Sequence, residues 1–351
     1  MSSWEENVRK VVPYTPGEQP KNRNVIKLNT NECPYPPAPE VASLNENMKI
    51  DDLRLYPDTD STVLVSALSD YYGVPTDQIF VGVGSDDVLS MAFLTFFNSD
   101  KPVLFPDITY SFYDVWAKLY KIPYKQIPLD DNFKIKKEDY FVQNGGVIFP
   151  NPNAPTGVYM DTTDVEEIIS KNKDVVVIID EAYIDFGGES VLPLLQKYEN
   201  LLVVRTFSKS RAMAGLRIGV AFGSKNMIKY LNDAKFSVNS YTMNMPSQQL
   251  GVAAVTDVKY FKDTCSKIIA TRERTKKALK ELGFEMTDSM TNFLFAKHNT
   301  KSGQEIFDML KDNGILVRHW NAPRISDYLR ITIGTDEQMD ELIRVMKKYL
   351  A

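Results

Sequence analysis

Two side chains in this sequence are placed for chemistry that surface lysines and aspartates do not perform. Lys209 lies in RTFSKSRAMAGLRIG (205–219), directly after an apolar run, LLVV, that reads as a buried strand. An amine attacks an aldehyde only as the neutral base, while a free lysine keeps its proton up to a pKa of about 10.4, so burial or neighbouring positive charge has to lower it. Ser208 and Arg217 flank the lysine with a hydroxyl and a guanidinium, donors suited to a phosphate. Asp180 closes a second apolar run, VVVIID, about thirty residues upstream. A carboxylate at the end of a buried strand is costly unless a cation meets it. That cation is either an arginine or lysine in an ion pair, or the protonated nitrogen of a pyridine ring, which Asp180 would keep protonated so that the ring acts as an electron sink. Tyr183, three residues on, adds a hydroxyl donor.

Four further features, each weak alone, join these two. GVGSDD (82–87) follows a strand and opens a helix, so the amides around Gly84, Ser85 and Asp86 and the helix dipole favour an anion such as phosphate. As a dinucleotide fingerprint it lacks the third glycine, and no βαβ unit begins the chain, which makes a nicotinamide-dependent reductase the weaker reading. Tyr110, after PDIT, offers a ring that can stack on a flat cofactor or pack in the core. NPNAPTG (151–157) holds a turn with asparagine amides at a strand's C-terminal edge, where open α/β sheets bind ligands. Arg330, inside YLRITIG, can grip a carboxylate through two N–H groups or lie on an exposed strand face.

The elements that must position these residues alternate. Helices are expected at 63–72, 86–97 and 163–172, and strands at 78–83, 102–105, 146–149, 175–180 and 201–206. Thr163 and Glu166 have the spacing of a capping box. Short runs apolar on both faces read as buried parallel strands, so this part is an α/β sandwich with a mainly parallel sheet. After about residue 240 the pattern becomes α+β. A long helix is expected at 259–282 with Gly283 as its stop, strand-like NFLFA and YLRITIG flank a helix at 303–313, and a last helix at 336–350 opens on Thr335 and Gln338 in capping-box spacing. The basic stretch 272–280 falls on the long helix and is expected to be a solvated face. The first forty residues, rich in proline and asparagine, read as an extended arm that wraps something. The organisation is therefore an arm with part of a small domain at 1–40, a large domain at 41–240 and a small α+β domain at 241–351.

Composition narrows the rest. A net charge of −5 gives no general attraction for nucleic acid. Two cysteines, Cys33 and Cys265, are too few for a disulfide framework or zinc site, and no metal site is expected near His298 or His319. The N-terminus has no signal-peptide core and no stretch is apolar over the roughly 20 residues a membrane span needs, so the expected location is the cytoplasm.

Over nearly its whole length the sequence resembles the histidinol-phosphate aminotransferases, within the fold-type-I, class II aminotransferases. The likeness runs from PYTPG and LNTNECPYPP through RLYPD, GVGSDD, NPNAPTG, DEAYIDF and TFSKSRAMAGLRIG to YLRITIG. It implies pyridoxal 5'-phosphate as cofactor, held as a Schiff base on Lys209, which also shuttles the proton. Asp180 would pair with the pyridine nitrogen, Tyr183 with the phenolic oxygen, and Tyr110 would stack on the ring. Gly84, Ser85, Asp86, Thr206, Ser208 and Arg217 would surround the phosphate, with Tyr56 reaching in from the partner of a homodimer. Arg330 would meet the substrate, Arg318 its phosphate, and Tyr14 and Asn31 would close over it. The chain departs from the family where asparagine usually precedes PTG; Ala154 stands there, and either Asn153 shifts to replace it or Tyr183 serves alone. The implied reaction is transamination of L-histidinol phosphate with 2-oxoglutarate. A threonine-phosphate decarboxylase of cobalamin synthesis and an aromatic amino-acid transaminase share the pattern.

Overall fold

A computed structural model describes residues 3–20 and 25–351. A two-residue strand β1 (Ile26–Lys27) precedes helices α1 (Pro39–Glu46) and α2 (Thr62–Tyr72). Then follow β2 (Ile79–Gly82), α3 (Ser85–Phe96), β3 (Val103–Pro106), α4 (Phe112–Tyr120), β4 (Tyr124–Ile127), β5 (Gly146–Pro150) and α5 (Thr162–Lys171). β6 (Val177–Asp180), β7 (Leu201–Thr206) and β8 (Gly219–Phe222) complete a seven-stranded sheet of order β2-β8-β7-β6-β5-β3-β4. Only the pairings of β8 with β2 and β7 are antiparallel.

Successive strand residues point to opposite faces, and both faces are covered. Val177, Ile179, Leu201 and Val203 join one core cluster, while Ile178, Leu202 and Val204 join another across the sheet. This is why the runs VVVII and LLVV are apolar without alternation. The register then sets one edge of the sheet: Gly82 pairs with Gly219, Gly219 with Thr206, and Asp180 with Pro150. The segments leaving β2, β3, β5, β6 and β7 at that edge carry the motifs, and Arg217 precedes the entry into β8 there.

Helices α6 (Lys225–Val238), α7 (Met245–Thr256) and α8 (Val258–Glu281) lead to the C-terminal part. There β9 (Phe284–Met286) and β10 (Phe293–His298) are followed by α9 (Gly303–Asp312), β11 (Ile315–Leu316), β12 (Arg318–His319), β13 (Tyr328–Thr332) and α10 (Asp336–Leu350). The antiparallel sheet β12-β13-β10-β9 packs on its own core, and β1 pairs with β11, so the arm is tied to this part.

The expected elements are present to within one or two residues, and Gly283, at φ 85°, ends α8 as its placement required. Two expectations fail. Thr163 does not cap α5: Asp161 is the N-cap residue, no side chain closes that end, and Glu166 binds Lys197 and Tyr198 instead. The stretch 272–280 is not a uniformly solvated face, because Arg272 is buried and donates through Nη1 to Phe186 O (2.8 Å) and Thr291 O (2.9 Å). The Thr335/Gln338 capping box forms, and a second, Ser302 with Glu305, opens α9.

Candidate active site

Two connected cavities lie over the sheet edge, an inner one of about 230 Å³ and an outer one of about 570 Å³. Lys209, Tyr110, Ala154 and Tyr183 border both. The inner cavity gathers Ser85, Asp86, Asp180, Thr206, Ser208 and Arg217 around them. Tyr14, Asn31, Arg318 and Arg330 line the outer one.

At the inner end the backbone makes a cradle. Gly84 sits at φ 87° before α3, and a Cβ there would collide with the Arg217 guanidinium; a Cβ on Gly219 would collide with the Gly84 backbone. Both positions require glycine for this close approach. Arg217 reaches across, donating to Ser208 Oγ (3.3 Å) and to Asp86 Oδ2 (3.1 Å), while Tyr110 donates to Asp86 Oδ1 (2.5 Å). The cradle thus combines a guanidinium, a hydroxyl and the free amides of a helix start, the donor set that anions select.

Asp180 forms the floor. It is buried, accepts from Tyr113 OH (3.1 Å) and Ala182 N (3.2 Å), and among the described residues has no cationic side chain within 4.0 Å. Burial pushes its carboxyl up to about 7, against the pull of those two donors. Glu181, next in the chain, points the other way and is fully satisfied by Arg205 (2.9 Å), Ser190 Oγ (2.7 Å) and Val191 N (2.7 Å). Lys209 Nζ donates to Thr30 O (3.1 Å) and lies 5.8 Å from the centre of the Tyr183 ring. Tyr183 OH accepts from Asn31 Nδ2 (2.9 Å), and Asn31 is itself pinned at φ 57° by Thr332 Oγ1, which bonds both its amide N–H and its Oδ1 (3.0 Å each).

In the outer cavity Arg330 is a half-buried cation with no carboxylate partner among the described residues. Its Nη2 donates to Asn29 O (2.9 Å), its Nε has no partner among the described residues, and its Cζ lies 5.3 Å from the centre of the Trp320 ring system. Burial holds it below its ordinary value. Arg318 donates to the arm at Pro16 O (3.4 Å) and Thr15 O (3.2 Å), and Tyr14 packs on Phe112 with ring centres 4.3 Å apart.

Two expected residues stand elsewhere. Asn153 does not line either cavity: its Nδ2 is bound to Ile108 O and Thr156 Oγ1 (2.9 Å each) and its Oδ1 accepts from Thr109 (2.9 Å), so it builds the loop while Ala154 faces the cavity. Tyr56 is 80% exposed, stacked on Tyr241 at 4.4 Å, away from this chain's own cavities. His319 bonds Ser326 O (2.7 Å) and is not part of the lining. Sequence reasoning passed over Tyr113, in the first turn of α4 and three residues after Tyr110. It also missed Trp320 and Arg324, which sit in an irregular stretch without a local signal.

Apart from Tyr14 on the arm, these residues lie within 23–346, which match the model of the family "Aminotransferase class I and II". A histidinol-phosphate aminotransferase of Lactococcus lactis subsp. cremoris is 54% identical over 348 residues, covering 99% of this chain and 98% of the relative. Two solved structures share the fold. The histidinol-phosphate aminotransferase of Clostridium acetobutylicum has a TM-score of 0.86 at 22% identity, covering 93% of this chain and 99% of that one. That of Sinorhizobium meliloti, solved in complex with pyridoxal-5'-phosphate, has a TM-score of 0.84 at 23% identity, covering 93% and 92%. The reductase reading of GVGSDD finds no support in these matches, and the chain belongs to the class I and II aminotransferases, among the histidinol-phosphate aminotransferases.

Proposed function

We propose that this chain transaminates L-histidinol phosphate with 2-oxoglutarate, giving imidazole acetol phosphate and glutamate in histidine biosynthesis, with pyridoxal 5'-phosphate as cofactor. The observation that carries the reading is the buried Asp180, which faces the same cavity as Lys209 and lacks the cation that a buried carboxylate needs. The residues fit the group. Asp180 would take the pyridine nitrogen and Tyr183 the phenolic oxygen, with Asn31 holding that hydroxyl in place of an amide at Ala154. Tyr110 would cover the ring. The amides of Ser85 and Asp86, the hydroxyls of Thr206 and Ser208, and Arg217 would hold the phosphate in the cradle that Gly84 leaves open.

When bound, the cofactor supplies an aldehyde for the amino group and a ring that accepts the electron pair left on Cα. The protein's part is orientation and proton transfer. Lys209 Nζ, on the border of the two cavities, removes the proton from the substrate Cα as the free amine and returns it on the other side of the exchange. Arg330 and Arg318 present guanidinium groups to the anionic end of either substrate: a phosphate in histidinol phosphate, carboxylates in glutamate. Tyr14 and Asn31, on the arm, close the outer cavity and exclude water.

The working unit we infer is a cytoplasmic homodimer in which Tyr56 reaches the partner's phosphate cradle. Its exposure supports this, as do the exposed apolar side chains of Ile50, Leu53, Leu55 and Tyr241, the last stacked on Tyr56. Among the described residues no helix is long and apolar enough to cross a membrane. The deciding experiment is a steady-state comparison of histidinol phosphate, phenylalanine and threonine phosphate as amino donors, with CO2 release monitored. Histidinol phosphate is expected to have the highest kcat/KM with no CO2; release of CO2 from threonine phosphate would overturn the reading.

A further inference from the structure

Asp180 has two donors, and one of them is an unusual choice. Tyr113, on α4, is fully enclosed by aromatic rings: Phe105 at 5.8 Å, Phe93 at 6.2 Å and Tyr110 at 5.7 Å between centres. A phenylalanine would fill that space. A hydroxyl there costs free energy unless it is hydrogen-bonded, and its partner is Asp180 Oδ2 at 3.1 Å. Ala182 N holds the other oxygen, Oδ1, at 3.2 Å, so the plane of the carboxylate is fixed from both sides.

Resting on the cofactor reading above, we propose that Tyr113 is a positioning residue for the reaction: its hydroxyl fixes Asp180 and weakens it as a base, so that the proton between Asp180 and the pyridine nitrogen stays on the nitrogen.

The physical reason is a competition for one proton. The charges facing Asp180 are Asp86 on α3 and Glu181 beside it, both of which raise its proton affinity, while Tyr110, Tyr113 and Tyr183 contribute phenols. Lys209 and Arg217 border the same cavity, but neither is within 4.0 Å of the carboxylate. Without an opposing donor, a buried carboxylate between two acids takes the proton for itself and leaves the ring neutral, which removes its use as an electron sink. Tyr113 stays a donor throughout, because burial and the adjacent carboxylate hold its phenol well above the ordinary value.

The test reads the ring nitrogen directly in holoenzyme loaded with 15N-labelled pyridoxal phosphate. In the wild type the nitrogen resonance is expected to be that of the protonated ring across neutral pH. Tyr113→Phe should move the nitrogen resonance toward that of the neutral ring across neutral pH, because the stronger carboxylate base shifts the proton's distribution by about tenfold, the strength of one hydrogen bond to a charged group. Replacing Tyr113 with 3-fluorotyrosine, a stronger donor of nearly the same shape, should move the resonance the other way, further toward the protonated ring; this variant keeps the test valid if Tyr113→Phe folds poorly. The Tyr113→Phe effect on the nitrogen resonance should vanish in the Asp180→Asn background, because the residue acts only through that carboxylate. An unchanged nitrogen resonance in both variants would overturn the inference while leaving the cofactor reading intact. A wild-type chain that takes up no pyridoxal phosphate would overturn both.

Discussion

At the C-terminal end of β6 two neighbouring carboxylates meet opposite surroundings. On one side Glu181, Arg205, Asp185 and Ser210 form a closed network in which both carboxylates share one guanidinium: Arg205 bonds Glu181 and Asp185 (3.3 Å), and Ser210 donates to Asp185 (2.6 Å). On the cavity side, among the described residues, the buried Asp180 and the half-buried Arg330 have no counter-charge, and Lys209 donates only to a backbone carbonyl. The closed network belongs to the fold; the open charges are held apart so that a ligand completes them. Mutations on the two sides should therefore fail in different ways.

The largest effect is expected from Lys209→Ala. Half-transamination should fall by at least about four orders of magnitude, the upper end of what a positioned proton-transfer group contributes, with an unchanged thermal midpoint. Stopped-flow spectroscopy with glutamate checks it; turnover near the wild-type rate would remove Lys209 from the mechanism. On the closed side Glu181→Gln should do the reverse, keeping the chemistry but destabilising the chain by about 3–5 kcal/mol, since Arg205 is left buried without its main partner. Urea unfolding reads this, and an unchanged midpoint would mean that Asp185 alone satisfies Arg205.

Asp180→Asn sharpens the contrast, because it should lower kcat by about 10²–10³-fold while costing the cofactor-free chain no stability. It also carries a pH signature. With its carboxyl raised to about 7 by burial, folded Asp180 holds a proton that the unfolded chain has lost above about pH 4. The contribution of this group to stability is thus complete below about pH 4 and lost as pH rises through 7. Cofactor-free wild type should lose stability relative to Asp180→Asn across that window, measured by urea unfolding at a series of pH values. Parallel curves would show that Asp180 is already paired.

The same contrast explains how much was legible from sequence. Asp180, Lys209 and Arg217 stood out because a charged residue at the end of an apolar strand is visible locally, and the strand order puts those ends along one edge. The outer cavity was visible only as separate residues, since its geometry comes from contacts across three hundred positions, such as Asn31 with Thr332 and Arg330 with Asn29. Asn153 was indistinguishable from its neighbour by type; only the bonds to Ile108, Thr109 and Thr156 show that it serves the loop. Arg272 reads as one more helix cation until the carbonyls of Phe186 and Thr291 are brought to it.

Arg330→Ala tests the open side where the expected effect is smallest. Its guanidinium is desolvated and has one N–H group without a partner, so a carboxylate or phosphate arriving there replaces no existing ion pair and regains the lost solvation. Removing it should raise KM for glutamate by about 10-fold, the worth of one charged hydrogen bond, with a smaller change in kcat because the reacting Cα is not touched. If KM for glutamate is unchanged and kcat falls instead, Arg330 orients the substrate through Trp320 rather than binding its anionic end.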